Sequence, residues 1–183
     1  MENNIQEEMK TYVFCDTYAK IEQGLVADQW ITISDYKTKE EFYEACRELH
    51  CDEENPTFKF SHARGPFADL IKGDYIYHYI FSYYTDFKPS ELKALSYYVS
   101  DSSWCYGLRN YDVSRESFLE AYMGKYDNLN EFLFKHLGAD FETFPKHLIP
   151  FLDFDELIYE LFNSNPALGS YLYREGHIFK NVY

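Results

Sequence analysis

The chain has 183 residues, and its 31 acidic and 17 basic side chains give a formal net charge of −14 and a pI near 4.7. This balance argues against a protein that binds nucleic acid or an anionic membrane, because both present phosphates that require a positive protein surface. Hydrophobic residues make up 46% of the chain and aromatic residues 20%, so the sequence can bury a core and is not a disordered acidic tail.

Composition also predicts the compartment. No stretch of about 18 apolar residues occurs that could span a membrane. The polar, acidic segment Met1–Lys10 lacks the basic start and apolar run of a signal peptide. The four cysteines are irregularly spaced, and we interpret them as reduced thiols: Cys15, Cys46, Cys51 and Cys105. We therefore expect a cytoplasmic protein without a membrane partner.

Charge divides the chain into three parts. Residues 1–62 carry 14 acids and 6 bases, residues 63–110 carry 5 of each, and residues 111–183 carry 12 acids and 6 bases. We predict three small domains with these boundaries. The expected fold class is α+β, with short antiparallel sheets in the two outer domains and helices in the central, aromatic-rich domain.

The first part predicts three short strands and a helix. Segments 11–15, 30–33 and 57–61 are β-prone. A helix is expected to begin at Thr38, because Thr38 and Glu41 have the spacing of a capping box. Apolar residues then follow at helical spacing: Phe42, Ala45, Cys46 and Leu49.

The middle part contains one segment that the sequence leaves open. Residues 67–72 are compatible with a single helical turn. Residues 75–84 are compatible with a strand by composition or with a buried helix by their aromatic density. Pro89 at a first helical position predicts a helix over 89–100, with an apolar face formed by Leu92, Leu95 and Val99.

The last part predicts three helices and a hairpin. The first helix is expected over 114–123, ending at Gly124. The second begins at Asn128 and ends at Gly138. The third begins at Asp153, ends within 163–166, and buries one apolar face: Phe154, Leu157, Ile158, Leu161 and Phe162. Segments 171–173 and 178–179 suit a short terminal hairpin.

Acidic residues recur four positions apart on three of these helices. The pairs are Glu44 with Glu48, Glu116 with Glu120, and Glu156 with Glu160. Like charges at this spacing destabilise a helix by about 0.2–0.5 kcal/mol per pair. Two interpretations remain open at this point: a solubilising surface, or a spaced display of carboxylates for a cationic partner such as a DNA-binding protein.

The sequence contains no pattern that indicates catalysis. Cys46, His50 and Cys51 could meet at one helix end, but zinc prefers four ligands and no second pair supplies the rest. We therefore expect a buried Cys46, a surface His50 and no metal site. Nucleotide-binding glycine motifs and metalloprotease motifs are absent from the sequence, and Asp153 is explained as a helix cap. The prediction is a protein that is not an enzyme and needs no cofactor.

Residues 116–133 read ESFLEAYMGKYDNLNEFL, an acidic helix followed by an Ala-Tyr-x-Gly-x-Tyr turn and a short helix. Further pieces are PKHL at 145–148, FLDFDEL at 151–157 and GHIF at 176–179. Together with the opening segment 12–30, these pieces resemble the ArdA-type antirestriction proteins. Within the antirestriction motif, the matching residues are Tyr122, Gly124, Tyr126, Leu129, Glu131 and Phe132.

The resemblance implies a function without chemistry. ArdA-type proteins are elongated, curved, acidic dimers of three small domains that mimic B-form DNA. They occupy the DNA-binding groove of type I restriction–modification enzymes and are carried on conjugative plasmids and transposons. For this chain the resemblance implies a homodimer. If the chain is such a mimic, we expect its exposed acids to bind the partner: Glu44, Glu48, Glu116, Glu120, Asp127, Glu156 and Glu160. The resemblance also implies that Tyr122, Gly124 and Tyr126 hold the turn of the motif and contribute to a dimer contact.

The neutral, Tyr-rich middle departs from the family pattern and keeps an alternative open. The first expectation is competitive, salt-sensitive inhibition of a type I restriction–modification enzyme. The alternative is an acidic protein-binding regulator that docks another partner through its aromatic middle. An enzyme would require a carboxylate pair or a Cys–His pair assembled from distant positions.

Overall fold

The computed structural model describes residues 8–25, 29–100, 112–136, 145–163 and 171–181. These residues belong to two compact units. The N-terminal unit contains the described residues up to 100 together with 112–113, and the C-terminal unit contains those from 114 onward. The fold is mixed α and β with short antiparallel sheets, which confirms the predicted class in outline. The predicted boundaries at 62/63 and 110/111 remain predictions, and residues 101–111 lie outside the described residues.

A three-stranded antiparallel sheet forms the centre of the N-terminal unit. Its strands are β1 (Tyr12–Thr17), β2 (Trp30–Thr32) and β3 (Phe58–Arg64), in the order β2-β1-β3. All three strands were expected from the sequence. Ile33 was expected at the end of the second strand but begins a 3₁₀ turn over Ile33–Asp35. The central strand is buried along most of its length because it has a neighbour on each side.

Two helices of this unit connect the strands of the sheet along the chain. The helix α1 (Tyr18–Glu22) directly follows β1, and α2 (Lys39–Leu49) follows the 3₁₀ turn. The hydroxyl of Thr38 accepts a hydrogen bond from the Glu41 backbone N–H at 3.1 Å, which confirms the predicted start of α2. The Glu41 carboxylate accepts from the N–H of Lys37, one residue before the position expected for a capping box.

The segment that the sequence left open forms a strand and a helix. After a 3₁₀ turn (Ala68–Leu70), β4 (Ile71–Lys72) and β5 (Tyr75–Ile76) make a two-stranded hairpin. Two helices follow, α3 (Tyr79–Asp86) and α4 (Pro89–Ser100), and the second confirms the prediction for 89–100. The hairpin was not predicted, because four strand residues are too few to show an alternating pattern.

The C-terminal unit combines three helices with a three-stranded sheet. The helices are α5 (Arg115–Ala121), α6 (Leu129–His136) and α7 (Phe154–Asn163), with a 3₁₀ segment at Lys146–Phe151. The antiparallel strands are β6 (Tyr122–Lys125), β7 (Tyr171–Arg174) and β8 (His177–Lys180), in the order β6-β8-β7. The predicted terminal hairpin is therefore confirmed. The predicted end of the second helix at Gly138 lies outside the described residues, as do residues 164–170.

The prediction of a helix over 114–123 was wrong at its end. Helix α5 stops at Ala121, and Tyr122 begins the edge strand β6, which pairs with β8. The strand contains a bulge between Tyr122 and Gly124, and Gly124 has a φ of +114°, which an L side chain rarely adopts. Pairing with a strand more than fifty residues away overrides the local helical periodicity.

The core of the C-terminal unit forms between α6, the sheet and one face of α7. Its most buried members are Tyr126, Phe132, Leu133 and Ile178. The predicted apolar face of α7 packs against them, although its residues remain partly accessible: Phe154, Leu157, Ile158, Leu161 and Phe162. None of the helices in the described part of the chain is long and apolar enough to cross a membrane.

Candidate functional site

Helix α5 presents Glu116 and Glu120 one turn apart on its exposed side. The opposite side of the helix is anchored by Phe118 and Ala121, both fully buried. Ser114 caps the helix by accepting from the Ser117 N–H at 3.1 Å. Neither glutamate forms an ion pair with any other described residue. This row of charge is therefore not neutralised within the described part of the protein.

Helix α7 carries a second row. Asp153 caps the helix, and its Oδ1 accepts from the N–H of Asp155 at 3.1 Å and of Glu156 at 3.0 Å. Because the apolar residues of α7 pack against the core, Glu156 and Glu160 face outward and are exposed. The N-cap role expected for Asp153 is confirmed, so this carboxylate has a structural explanation.

Asp127 lies at the start of α6 and is exposed. Its backbone N–H donates to Glu131 Oε2 at 3.1 Å, and the Asn128 side chain accepts from the Glu131 N–H at 2.9 Å. The Asp127 carboxylate takes no part in this capping arrangement. It adds one more negative charge near the N-terminus of a helix, where the helix dipole favours an anion.

Glu44 and Glu48 lie on the exposed face of α2, but they differ in their surroundings. Glu44 accepts a hydrogen bond from Arg47 Nε at 3.2 Å and also contacts a terminal guanidinium nitrogen. Its charge is therefore partly neutralised, whereas Glu48 forms no ion pair within the described residues. Sequence reasoning gave both residues the same role because it considered the spacing of the acids alone.

The motif residues Tyr122, Gly124 and Tyr126 build the connection from α5 to α6. The Tyr122 ring lies 5.3 Å from the Phe118 ring and 5.3 Å from the Phe179 ring, measured between centroids. Its hydroxyl is 2.8 Å from Nδ1 of the buried His177. Burial of the ring is the main cause of a raised pKa for the Tyr122 hydroxyl.

Tyr126 fixes the end of the same connection. Its ring is buried and lies 5.2 Å from the Phe132 ring, and its hydroxyl donates to the Met123 carbonyl at 2.9 Å. Its backbone N–H donates to the carbonyl of Gly176 at 2.8 Å, which joins the motif to the terminal hairpin. A Cβ on Gly176 would lie 2.9 Å from the Tyr126 carbonyl oxygen, so this approach requires glycine. The proposed dimer contact of these residues remains a prediction.

Most aromatic side chains in the described section of the middle part, residues 63–100, belong to the core of the N-terminal unit. Buried aromatic residues between 67 and 98 are Phe67, Tyr79, Phe81, Tyr83, Phe87 and Tyr98. Tyr75 is 42% exposed, and the ammonium of Lys39 lies 4.2 Å from the centre of its ring. The high aromatic content of this region is therefore explained mainly by packing.

The cysteine and histidine residues considered as zinc ligands are not arranged as a joint site. Cys46 is fully buried, as expected, and contact with the buried Cys15 thiol, together with desolvation, raises the pKa of its thiol. His50, which was expected at the surface, is fully buried because its ring packs against Phe58, with 6.1 Å between the centroids. Cys51 is exposed.

Sequence reasoning missed a polar cluster around Lys20. The Lys20 ammonium lies 2.8 Å from Asp52 Oδ1, 3.1 Å from His50 Nδ1 and 3.9 Å from Glu53 Oε1. The hydrogen bond with Asp52 is the largest cause of the raised pKa of Lys20, and it also lowers the pKa of Asp52. No local pattern predicts this cluster, because it joins the short helix after β1 to the loop that follows α2.

Comparison with known proteins gives no match: no protein-family model, no curated protein and no solved structure is significantly similar to this chain.

Proposed function

We propose that this protein is an antirestriction protein of the ArdA type, which mimics B-form DNA and competitively inhibits type I restriction–modification enzymes. The observation that carries the proposal is the row formed by Glu116 and Glu120, which face outward and have no basic partner among the described residues. A chain with a net charge of −14 whose described residues leave this row unpaired is suited to a cationic groove.

The arrangement of charge gives the proposal its physical basis. B-form DNA carries one negative charge per about 1.7 Å of its axis, and its binders place lysine and arginine to meet the phosphates. Glutamates four residues apart on a helix are separated by about 6 Å along the helix axis. A single row is therefore sparser than duplex DNA, so mimicry requires several rows, which accords with glutamate pairs on α2, α5 and α7.

A mimic of this kind needs no base edges. Phosphate contacts provide much of the affinity between proteins and DNA without carrying sequence information. One acidic protein could therefore inhibit enzymes that recognise different target sequences. The proposed partner is the DNA-binding groove of a type I restriction–modification enzyme in the cytoplasm, and the proposed form is a homodimer encoded on a mobile genetic element such as a conjugative transposon.

The alternative, a regulator that docks a different partner through its aromatic middle, has less support. The aromatic side chains between 67 and 98 are largely buried, and Tyr75 is already covered on one face by Lys39. The two functions also differ in salt dependence. Contacts between exposed charges weaken as added salt shortens the Debye length, whereas an aromatic interface depends much less on salt.

Cleavage of unmodified DNA by a purified type I restriction enzyme tests the proposal. The protein is titrated into the reaction at about 50 mM and at about 200 mM salt, over a range of DNA concentrations. We expect inhibition that weakens at the higher salt and is overcome by excess DNA. Absence of inhibition at micromolar protein, across several such enzymes, would contradict the proposed function.

A further inference from the structure

The cluster around Lys20 has the donor atoms of a metal site, and a lysine ammonium lies among them. One potential ligand atom from each of His50, Asp52 and Glu53 lies within 4.8 Å of the other two. All three donors come from the loop at the end of α2, while Lys20 extends from the short helix α1. The ammonium therefore lies where a bound cation would contact all three groups.

The orientation of His50 points to a ligand role. The side chain is fully buried, and Nε2 lies 3.3 Å from the carbonyl oxygen of Cys15, which can only accept a hydrogen bond. Nε2 therefore carries the hydrogen, and the lone pair of Nδ1 is directed at the ammonium 3.1 Å away. Metal-binding histidines have this arrangement, in which the second ring nitrogen donates to a backbone carbonyl and fixes the tautomer.

The carboxylates of Asp52 and Glu53 carry more negative charge than one lysine neutralises, and a hydrogen bond fixes the position of one of them. The buried Thr17 hydroxyl donates to Glu53 Oε1 at 2.6 Å and holds that carboxylate towards the cluster. Two carboxylates thus face a single positive charge, and a divalent ion would balance them.

We propose that this cluster binds a divalent transition-metal ion, with Zn²⁺ as the first choice, through His50 Nδ1, Asp52 and Glu53. A mixed nitrogen and oxygen donor set suits Zn²⁺, with metal–ligand distances of about 2.0–2.2 Å. In a tetrahedral site with these bond lengths the donor atoms lie about 3.3–3.6 Å apart, so binding requires a closure of the donors by up to about 1.5 Å. Asp52 is exposed and can provide it, while water completes the coordination.

Binding requires the Lys20 ammonium to move into solvent. Its side chain is 18% exposed, and the helix that carries it has five residues, so the stem can swing outward. The metal ion would then connect the loop after α2 to β1 through Thr17 and the Cys15 carbonyl. This inference does not depend on the proposed antirestriction function.

Calorimetric titration of the chelator-treated full chain with ZnCl₂ tests the site. We expect the wild type to bind one equivalent, the variant Asp52→Asn to bind at least about tenfold more weakly, and Lys20→Met to bind more tightly. Asp52 is exposed, so its replacement should leave the fold intact, which circular dichroism verifies. Glu54→Gln removes a neighbouring exposed acid outside the donor set and serves as the matched control with unchanged affinity.

The exposed thiol of Cys51 provides the strongest competing explanation for zinc binding. Cys51→Ser should retain the wild-type affinity, and the Co²⁺-substituted protein should lack the intense near-ultraviolet absorption of a cobalt–thiolate bond. Four results would each overturn the inference: no binding by either wild type or Lys20→Met, wild-type affinity in Asp52→Asn, unchanged or weaker binding in Lys20→Met, or loss of binding in Cys51→Ser.

Discussion

Replacing Glu116 and Glu120 by glutamine separates a role in binding from a role in folding. Both side chains are exposed on α5, lie one turn apart, and form no ion pair with the described residues. Glutamine preserves the size of the side chain and has a similar helix propensity. Relief of the repulsion between like charges gains about 0.2–0.5 kcal/mol, while loss of the Glu116 charge from the first turn costs about 0.3–1 kcal/mol of helix-dipole stabilisation. The free energy of unfolding of the double variant should therefore lie within about 1 kcal/mol of the wild-type value.

Inhibition of the restriction enzyme should weaken. An exposed carboxylate that meets a lysine or arginine of the enzyme contributes about 0.2–1 kcal/mol. Two lost contacts therefore remove about 0.4–2 kcal/mol of binding free energy. Since about 1.4 kcal/mol corresponds to a factor of ten, the concentration for half-inhibition should rise by about 2- to 30-fold at low salt.

A charge-matched control variant distinguishes an effect of this row of acids from an effect of the net charge. The variant Glu54→Gln/Asp74→Asn removes two exposed acids of the N-terminal unit that lie outside the helical rows. It changes the net charge by the same amount as the α5 variant. It should raise the concentration for half-inhibition by less than the α5 variant does. DNA-cleavage titrations measure inhibition, and urea unfolding measures stability. A specific role for this row would be refuted if the wild type and the α5 variant had the same concentration for half-inhibition. It would also be refuted if the α5 variant and the control variant lost the same amount of inhibition.

Two further predictions concern the fold of the N-terminal unit. Gly65→Ala should lower the free energy of unfolding by about 3 kcal/mol or more, because its φ is +112° and the new Cβ would lie 2.2 Å from the Lys10 carbonyl oxygen. Gly24→Ala, at φ +71° with open space around it, should cost about 1 kcal/mol; equal losses in urea unfolding would contradict this reasoning. Burial raises the pKa of the Tyr84 hydroxyl above its ordinary value near 10, so the unfolded chain loses this proton at a lower pH than the folded protein does. The free energy of unfolding should therefore be unaffected by this group below about pH 10 and should fall as the pH rises further. Tyr84→Phe should remove about 1.4 kcal/mol per pH unit from the alkaline slope, and an unchanged slope in pH-dependent urea unfolding would exclude this role.

Local signals in the sequence predicted the helices well. Thr38 and Asn128 each accept a hydrogen bond from the residue three positions on, as their spacing indicated, and Asp153 does the same at the start of α7. The apolar face of α7 likewise follows from helical periodicity alone. Capping and periodicity depend on neighbours within a few residues, so a single sequence contains the information required.

Features that depend on distant contacts were missed. The helical pattern around Tyr122 gave no sign of β6, whose partner β8 is more than fifty residues away. The cluster around Lys20 forms because the short helix α1 and the loop after α2, which are distant in the sequence, contact each other in the fold. The burial of His50 has the same origin, because the carbonyl it contacts belongs to the central strand of the sheet.

The acid rows differ in one respect that their spacing did not reveal. In the N-terminal unit, described basic residues pair with acids: Arg47 with Glu44, and Lys20 with Asp52 and Glu53. In the C-terminal unit, the acids Glu116, Glu120, Asp127 and Glu156 have no ion-pair partner among the described residues. A carboxylate that is already paired must lose its partner before it meets a cation of another protein, and this loss offsets the new contact. If the chain binds a cationic groove, the unpaired acids of the C-terminal unit should therefore contribute more affinity per residue than Glu44.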